Sequence, residues 1–276
     1  MNYLALARPQ QWIKNLLIFA SAFFSGMLFS PSLFLELFAV FGLFSLTASA
    51  GYALNDALDY EFDRTHKSKG KRPVASGEIS KRNAVYFSLI IFAVSITLVL
   101  RFFPDLSLLF LIYFVLNILY SALLKKIVVV DLLVFPVFFL IRILIGAEVV
   151  GVGITSWLIL CTIFLSLFLV IAKRVSERRS AAGREVLNFY SEQFLSALLI
   201  TSATLSIVAF ALYTVLAYPK PALVYSNIFV VGGIFRYFFL VFSTNKAEEP
   251  EAALVHDRWL FAIVLGWVIY LFFVFY

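Results

Sequence analysis

Of 276 residues, only one is cysteine, and it lies inside an apolar run. Cys161 therefore has no partner for an intrachain disulfide and reads as a thiol packed in a core. Histidine is nearly as scarce: His66 and His256 stand far apart, without the spacing of metal ligands. Charge is thin as well. Asp, Glu, Lys and Arg make up 14% of the chain, against about 25% in ordinary soluble domains. With 63% apolar residues, a water-soluble globule is excluded and a polytopic membrane protein is implied. The apolar runs are continuous, without the alternation of a lipid-facing strand, which excludes a β-barrel. There is no internal repeat and no low-complexity segment, and the longest polar gap is about 26 residues. A single all-α membrane domain over residues 1–276 is expected.

What the chain does have is apolar runs long enough to cross a bilayer as helices, roughly 20 residues each. Nine are found, near 15–30, 33–56, 83–102, 106–124, 128–149, 156–173, 194–217, 222–243 and 258–276. Arg8 and Lys14 precede the first, and Ala20-Ser21-Ala22 within it looks like a cleavage site. The run continues to Phe29, so an uncleaved first span is expected. With the N-terminus on the cytoplasmic side, 18 Lys and Arg fall in loops on that side and two, Arg101 and Lys220, on the other. Positive loops stay inside, so the expected topology is nine helices in a cell (inner or plasma) membrane, N-terminus cytoplasmic.

The rule for positive loops does not explain the acids mixed among them. The stretch NDALDYEFDRTHKSKGKRPVASG, Asn55 to Gly77, holds four of the sixteen acids and five of the twenty-two bases. Asp56, Asp59 and Asp63 are spaced by three and four residues, which puts them on one helical face. Three stacked carboxylates repel one another, and acids at a helix C-terminus oppose its dipole. A solvated helix end would not need them. Carboxylates, an amide oxygen and substrate phosphates are the usual surroundings of Mg²⁺, with Mn²⁺ as a substitute. Glu61 points to the opposite side and is set aside. Arg64, Lys69 and Arg72 follow, with Lys67 and Lys71, in a loop punctuated by Gly70 and Gly77. Acids for a metal followed by bases for phosphate oxygens suit a metal–diphosphate ligand at the membrane surface.

The pattern N-D-x-x-D-x-x-x-D followed by R-x-H-x-x-K-x-x-R-P-x-A-S-G resembles the UbiA superfamily of intramembrane prenyltransferases. That resemblance implies nine helices, a cytoplasm-facing cavity and a Mg²⁺-diphosphate site at Asp56, Asp59 and Asp63, with His66 part of the motif. Typical members carry a second acid cluster, D-x-x-x-D, between the sixth and seventh spans. This chain has AKRVSERR instead, with Lys173, Arg174, Glu177, Arg178 and Arg179. An i, i+4 salt bridge of Lys173 with Glu177 is the plain structural reading. With Arg184, five bases in the twelve residues 173–184 exceed it, and phosphate binding is the preferred one.

Further segments are similar to one subgroup, the decaprenyl-phosphate phosphoribosyltransferases: RPQQWIKN (Arg8 to Asn15), YSALLKKIVVVD (Tyr120 to Asp131), LIRILIGA (Leu140 to Ala147), GIFRYFFLV (Gly233 to Val241) and EEPEAALVHDRWL (Glu248 to Leu260). The resemblance implies transfer of 5-phosphoribose from phosphoribosyl diphosphate to a polyprenyl phosphate, with release of diphosphate. The acceptor is already anionic, so positioning and charge stabilisation suffice. Candidate substrate-binding residues are Lys14, Asn55, Arg64, Lys69, Arg72, Tyr120, Lys125, Asp131, Lys173, Arg174, Glu177 and Arg236. Interfacial anchoring competes for Lys14 and for Tyr120 with Lys125. The start of a helix dipole competes for Asp131. Arg142, eleven residues beyond Asp131, falls inside a span, where an arginine is costly. A prenyltransferase using a prenyl diphosphate donor is the alternative function, and a transporter is disfavoured because charge lies at one surface. No nucleic-acid partner is expected, and a homo-oligomer is left open.

Overall fold

Backbone polar groups in hydrocarbon must be satisfied within the chain, so continuous apolar runs become helices. The computed structural model describes residues 2–65, 69–179, 185–217, 220–243 and 250–276. Among them the long helices are α1 (Pro31–Leu58), α2 (Lys81–Phe102), α3 (Ser107–Ala122), α4 (Val130–Val150), α5 (Ser156–Arg179), α6 (Glu192–Leu216), α7 (Asn227–Ser243) and α8 (Arg258–Phe275). Counting the 3-10 turns Pro104–Leu106 and Pro221–Ser226 that lead into α3 and α7, eight helices are long and apolar enough to cross a membrane. The described residues contain no strand.

The ninth expected span, 15–30, takes another form. Pro9–Phe19 is a 3-10 helix and Ala20–Phe24 a single α turn. At roughly 2.0 Å per residue for the first part and 1.5 Å for the second, the two reach about 30 Å, close to the thickness of a hydrocarbon core. Three residues per turn aligns positions three apart. Asn15 and Ile18 are buried in line with Trp12, whereas Ile13 and Leu16 are exposed.

Polar side chains set several helix starts. Ser80, Ser191 and Asp257 are N-caps of α2, α6 and α8, accepting from the N–H groups of Asn83, Phe194 and Leu260 at 3.2, 3.1 and 2.8 Å. Pro31 opens α1. Gly151, at φ 71, stops α4 in the left-handed region where glycine carries no Cβ penalty.

By internal packing the chain divides into two units. One comprises Met1–Phe23, Met27–Ile127 and Ile141–Val152. In it α1 and α2 approach closely because small residues line the seam. Ser88 Oγ donates to the Ala50 carbonyl at 2.7 Å and Ser95 Oγ to the Leu43 carbonyl at 2.8 Å. The Phe44 ring packs on Tyr113 and Phe110, centroids 4.5 and 5.3 Å apart. Gly146 of α4 lies so near the 3-10 segment that a Cβ there would stand 1.9 Å from the Ile18 carbonyl oxygen.

The second unit comprises Phe24–Gly26, Val128–Leu140 and Gly153–Tyr276. Its core joins Phe168, Ile171 and Val175 of α5 to Leu195 and Leu199 of α6, with Tyr237, Leu240 and Val241 of α7. Phe168 meets Tyr237 edge-on at 5.6 Å. Large apolar side chains such as Phe38, Ile228 and Phe273 remain exposed, as lipid contact requires.

Candidate active site

The charged stretch at the end of α1 belongs to the first unit. α1 ends at Leu58, the chain bends at Asp59, and a short helix, Tyr60–Thr65, follows. Helical winding carries through the bend: the Asp59 N–H donates to the Asn55 carbonyl and the Asp63 N–H to the Asp59 carbonyl, both at 2.8 Å. Asp56 and Asp63, seven residues apart, are both buried and share one partner. Arg72 Nη1 donates to Asp63 Oδ2 at 2.5 Å and to Asp56 Oδ1 at 3.3 Å. Arg8 also donates to Asp56 Oδ1, and Lys125 Nζ pairs with Asp59. The three aspartates expected to act together are thus gathered in one region, each with a base. Glu61 points away, exposed, and pairs with Lys81 at 2.9 Å.

The loop after the short helix explains how Arg72 reaches back. The Ser76 N–H donates to the Arg72 carbonyl at 2.8 Å and the Ile79 N–H to the Pro73 carbonyl at 2.9 Å. This turn buries Val74 and Ile79 against Leu6, Ala53, Ala57 and Ala84. The apolar plug anchors the loop and holds Arg72 over the carboxylates. Gly77 takes φ 82 at its tip. Asn55 Oδ1 accepts from Ser121 Oγ at 3.0 Å, tying α1 to α3. Lys69 lies over the Phe62 ring at 5.5 Å, Arg64 is exposed, and Tyr120 is buried. Lys14 Nζ donates to Gln11 Oε1 at 2.7 Å. His66 lies outside the described residues.

A second charged cluster lies within the second unit. Arg174 is 1% exposed. Its Nε donates to Asp131 Oδ2 at 3.1 Å and its Nη1 to Glu177 Oε2 at 2.6 Å. Tyr190 Oη donates to Asp131 Oδ1 and accepts from the Val129 N–H, each at 2.6 Å. Burial, reinforced by the bond to Asp131, pushes the Tyr190 phenol above its ordinary range. Arg178 Nη1 donates to the Leu187 carbonyl at 2.5 Å. Arg179 Nη1 donates to the carbonyls of Val241 and Phe242 at 3.1 and 2.9 Å. Three of the bases counted in this segment, Arg174, Arg178 and Arg179, therefore have acceptors within the unit, and Arg184 lies outside the described residues. Glu177 takes Arg174 at i−3 as a partner. Arg236, expected on phosphate, forms a two-pronged pair with Asp257 at 3.0 and 2.6 Å.

Some participants carried no distinct signal in the sequence. Arg8 was visible as a positive charge near the N-terminus and as the start of the RPQQWIKN segment, not as a partner of Asp56. Its backbone is left-handed (φ 52), between the short helix Tyr3–Ala7 and Pro9, and its guanidinium stands 5.6 Å from the Tyr52 ring centroid. Burial pulls that guanidinium below its ordinary range, against the opposing effect of Asp56. Tyr190 sits 59 residues beyond Asp131. Arg142 is held in the first unit by Asn15 Oδ1 and Tyr113 Oη, both at 2.9 Å. It packs over the Phe44 ring, so this arginine inside a span has partners for its buried charge.

Whether the first cluster suits a divalent cation is tested by its oxygens. Asp56 Oδ2 is buried and has no hydrogen-bond partner, a costly state for a carboxylate oxygen. Carboxylate oxygens are the hard donors that Mg²⁺ takes, and this one is buried without a partner, so the chemistry of the residues fits the ion. Among the described residues no three acidic, His or Cys side chains are grouped to hold one metal ion; the aspartates are engaged by Arg8, Arg72 and Lys125.

The sequence profile of the UbiA prenyltransferase family matches residues 16–262. The chain is 30% identical to a decaprenyl-phosphate phosphoribosyltransferase of Mycobacterium tuberculosis, over 95% of this chain and 90% of that one. It is 28% identical to the protein of the same name from Corynebacterium glutamicum, over 95% and 82%. A UbiA homolog from Archaeoglobus fulgidus, solved with GPP and Mg²⁺, superposes with a TM-score of 0.74 at 20% identity, covering 100% of this chain and 99% of that one.

Proposed function

This chain belongs to the UbiA prenyltransferase family, and from that premise we propose that it moves 5-phosphoribose from phosphoribosyl diphosphate to a polyprenyl phosphate of decaprenyl type. The observation that carries this reading is similarity along nearly the whole chain to relatives bearing that activity in their names. The replacement of the usual second acid pair by Lys173, Arg174 and Glu177 supports it. Residues 1–276 act as one functional domain, multi-span in a cell membrane, with N-terminus and charged face cytoplasmic.

Asp56, Asp59 and Asp63 would hold Mg²⁺, which when bound supplies positive charge to the departing diphosphate. Arg72 and Lys125, already beside those carboxylates, offer charge-assisted donors to phosphate oxygens. Asn55 keeps the end of α1 fixed to Ser121. Arg64, Lys69, Lys14 and Tyr120 supply the remaining polar contacts at this face. Within the second unit Glu177 is a hydrogen-bond acceptor suited to a sugar hydroxyl, and Asp131, whose two oxygens are engaged by Arg174 and Tyr190, steadies Arg174 behind it. Arg174 orients Glu177, and Lys173 is the base for a phosphate. The C1–O bond to diphosphate breaks, and an anionic oxygen of the acceptor phosphate forms the new bond to C1. No proton need be removed from that nucleophile at neutral pH.

The test incubates purified protein and Mg²⁺ with radiolabelled phosphoribosyl diphosphate and a polyprenyl phosphate, and counts label in the lipid phase. Label should appear, vanish with EDTA, and fall by at least about 100-fold in Asp59→Asn, with the unfolding temperature retained. No transfer over a range of acceptor lengths, with prenylation from a prenyl diphosphate instead, overturns the reading in favour of a prenyltransferase. A stretch of 112 residues, 41% of this chain, is 38% identical to 37% of a digeranylgeranylglyceryl phosphate synthase of Methanococcoides burtonii, and it is the observation that favours that second reading.

A further inference from the structure

We propose that Arg8, together with Arg72 and Lys125, acts as a built-in counter-ion that keeps the carboxylates of Asp56, Asp59 and Asp63 closed to a bare divalent cation and releases them only when the cation arrives with diphosphate. The inference rests on the reading of those aspartates as a metal site. Among the described residues, three buried or nearly buried acids pair with three bases, so these pairs sum to zero formal charge. Asp56 Oδ1 serves both Arg8 and Arg72, while Arg72 also holds Asp63. Lys125 covers Asp59. A dication entering alone would leave this poorly hydrated cluster with two excess positive charges and would compete with every base for its carboxylate. Diphosphate entering alone would find the bases engaged. Entering together, the two let each base exchange a carboxylate oxygen for a phosphate oxygen, one charge-assisted bond for another.

Arg8 is the decisive member. Its left-handed backbone between the Tyr3–Ala7 helix and Pro9 is an uncommon conformation for a residue other than glycine. That geometry directs the guanidinium past Tyr52 onto Asp56, whose second oxygen is buried without a partner. The Arg8 side chain is thus a positioning group that sets when Asp56 becomes available. It rests on a backbone held by its own short helix, not on the loop that carries Arg72.

The experiment measures Mn²⁺ bound to the full-length protein in detergent by equilibrium dialysis, with and without saturating inorganic diphosphate. Wild type should bind Mn²⁺ alone weakly, and diphosphate should raise the affinity by a factor within the usual coupling range of about 5–150-fold. Arg8→Gln should bind Mn²⁺ alone more tightly than wild type by about tenfold and lose a similar factor of diphosphate dependence. Arg8→Lys should restore the wild-type pattern. Wild type binding Mn²⁺ alone as tightly as with diphosphate overturns the proposal without any variant. So does an Arg8→Gln protein, folded by its unfolding temperature, that gains no Mn²⁺ affinity. Neither phosphoribosyl diphosphate nor lipid acceptor is used. Intact coupling without sugar transfer would therefore overturn only the function proposed above, whereas wild type that binds no Mn²⁺ even with diphosphate overturns both.

Discussion

Arg174→Met removes a guanidinium that joins two carboxylates inside the second unit. Asp131 is 0% and Glu177 5% exposed, so neither charge recovers water when its partner goes. Hydrogen bonds to charged groups are worth about 1.5–3 kcal/mol each, and removing one member of a buried pair costs about 3–5 kcal/mol. Tyr190 still donates to Asp131 at 2.6 Å, which places the expected loss inside that range and not above it. For a chain of this size, each kcal/mol shifts the midpoint by about 2–4 °C, so thermal unfolding in detergent should fall by about 10 °C. Asp131→Asn, which keeps the shape and the Tyr190 contact, should cost about 1–3 kcal/mol. The double variant should cost less than the sum by about 1–3 kcal/mol, because the second change removes one of the charges the first left unpaired. A midpoint for Arg174→Met within about 2 °C of wild type would refute the structural argument. If sugar transfer were lost in that same stable protein, Arg174 would be a phosphate ligand first.

Gly146→Ala should prevent the 3-10 segment from seating, since its Cβ would meet the Ile18 carbonyl oxygen at 1.9 Å; a loss of about 1–3 kcal/mol or more is expected. Gly153→Ala, with nothing within 4 Å, should be neutral in the same unfolding assay. Hydrogen bonds from Arg236 hold the Asp257 carboxyl at about 2, below its unfolded value of about 3.9. Its stabilisation is therefore whole above about pH 4 and lost as pH falls toward 2. Water screens the exposed pair, so the contribution is small, and Arg236→Gln should flatten that part of an acid-unfolding curve. In a Cys161→Ser background, Glu61→Cys should label from the cytoplasmic side and Asp105→Cys from the other; the reverse pattern overturns the orientation.

The long helices were legible because apolar runs of 20 residues leave hydrocarbon-spanning backbone few options. The acid triad was legible because its spacing conflicts with a helix terminus unless cations are near. Even the exclusion of Glu61 followed from spacing, and it pairs outward with Lys81. The form of the first segment was not legible. In 15–30 eleven of sixteen residues are apolar and the others are Asn, Ser and Gly, too few and too small to tell a period of 3.0 from one of 3.6. The partners of charges were also hidden. Arg174 meets Asp131 across 43 residues and Arg236 meets Asp257 across 21, and composition counts bases without saying which are already taken. Arg8 was noticed within RPQQWIKN, but its contact with Asp56, 48 residues away, left no trace in the spacing.

The alignment of Trp12, Asn15 and Ile18 along the 3-10 segment makes its length a quantity that evolution can change only in steps. Gaining or losing one residue inside it turns everything on one side by about 120°. That rotation would present the lipid-facing side chains of Ile13 and Leu16 to the interior, where Asn15 now donates to Ser45 at 3.0 Å and accepts from Arg142. A change of three residues restores the facing and slides the row by about 6 Å, roughly one α-helical turn along α1. Insertions carried through this stretch should thus be tolerated in threes, paired with a one-turn offset in the positions that receive them.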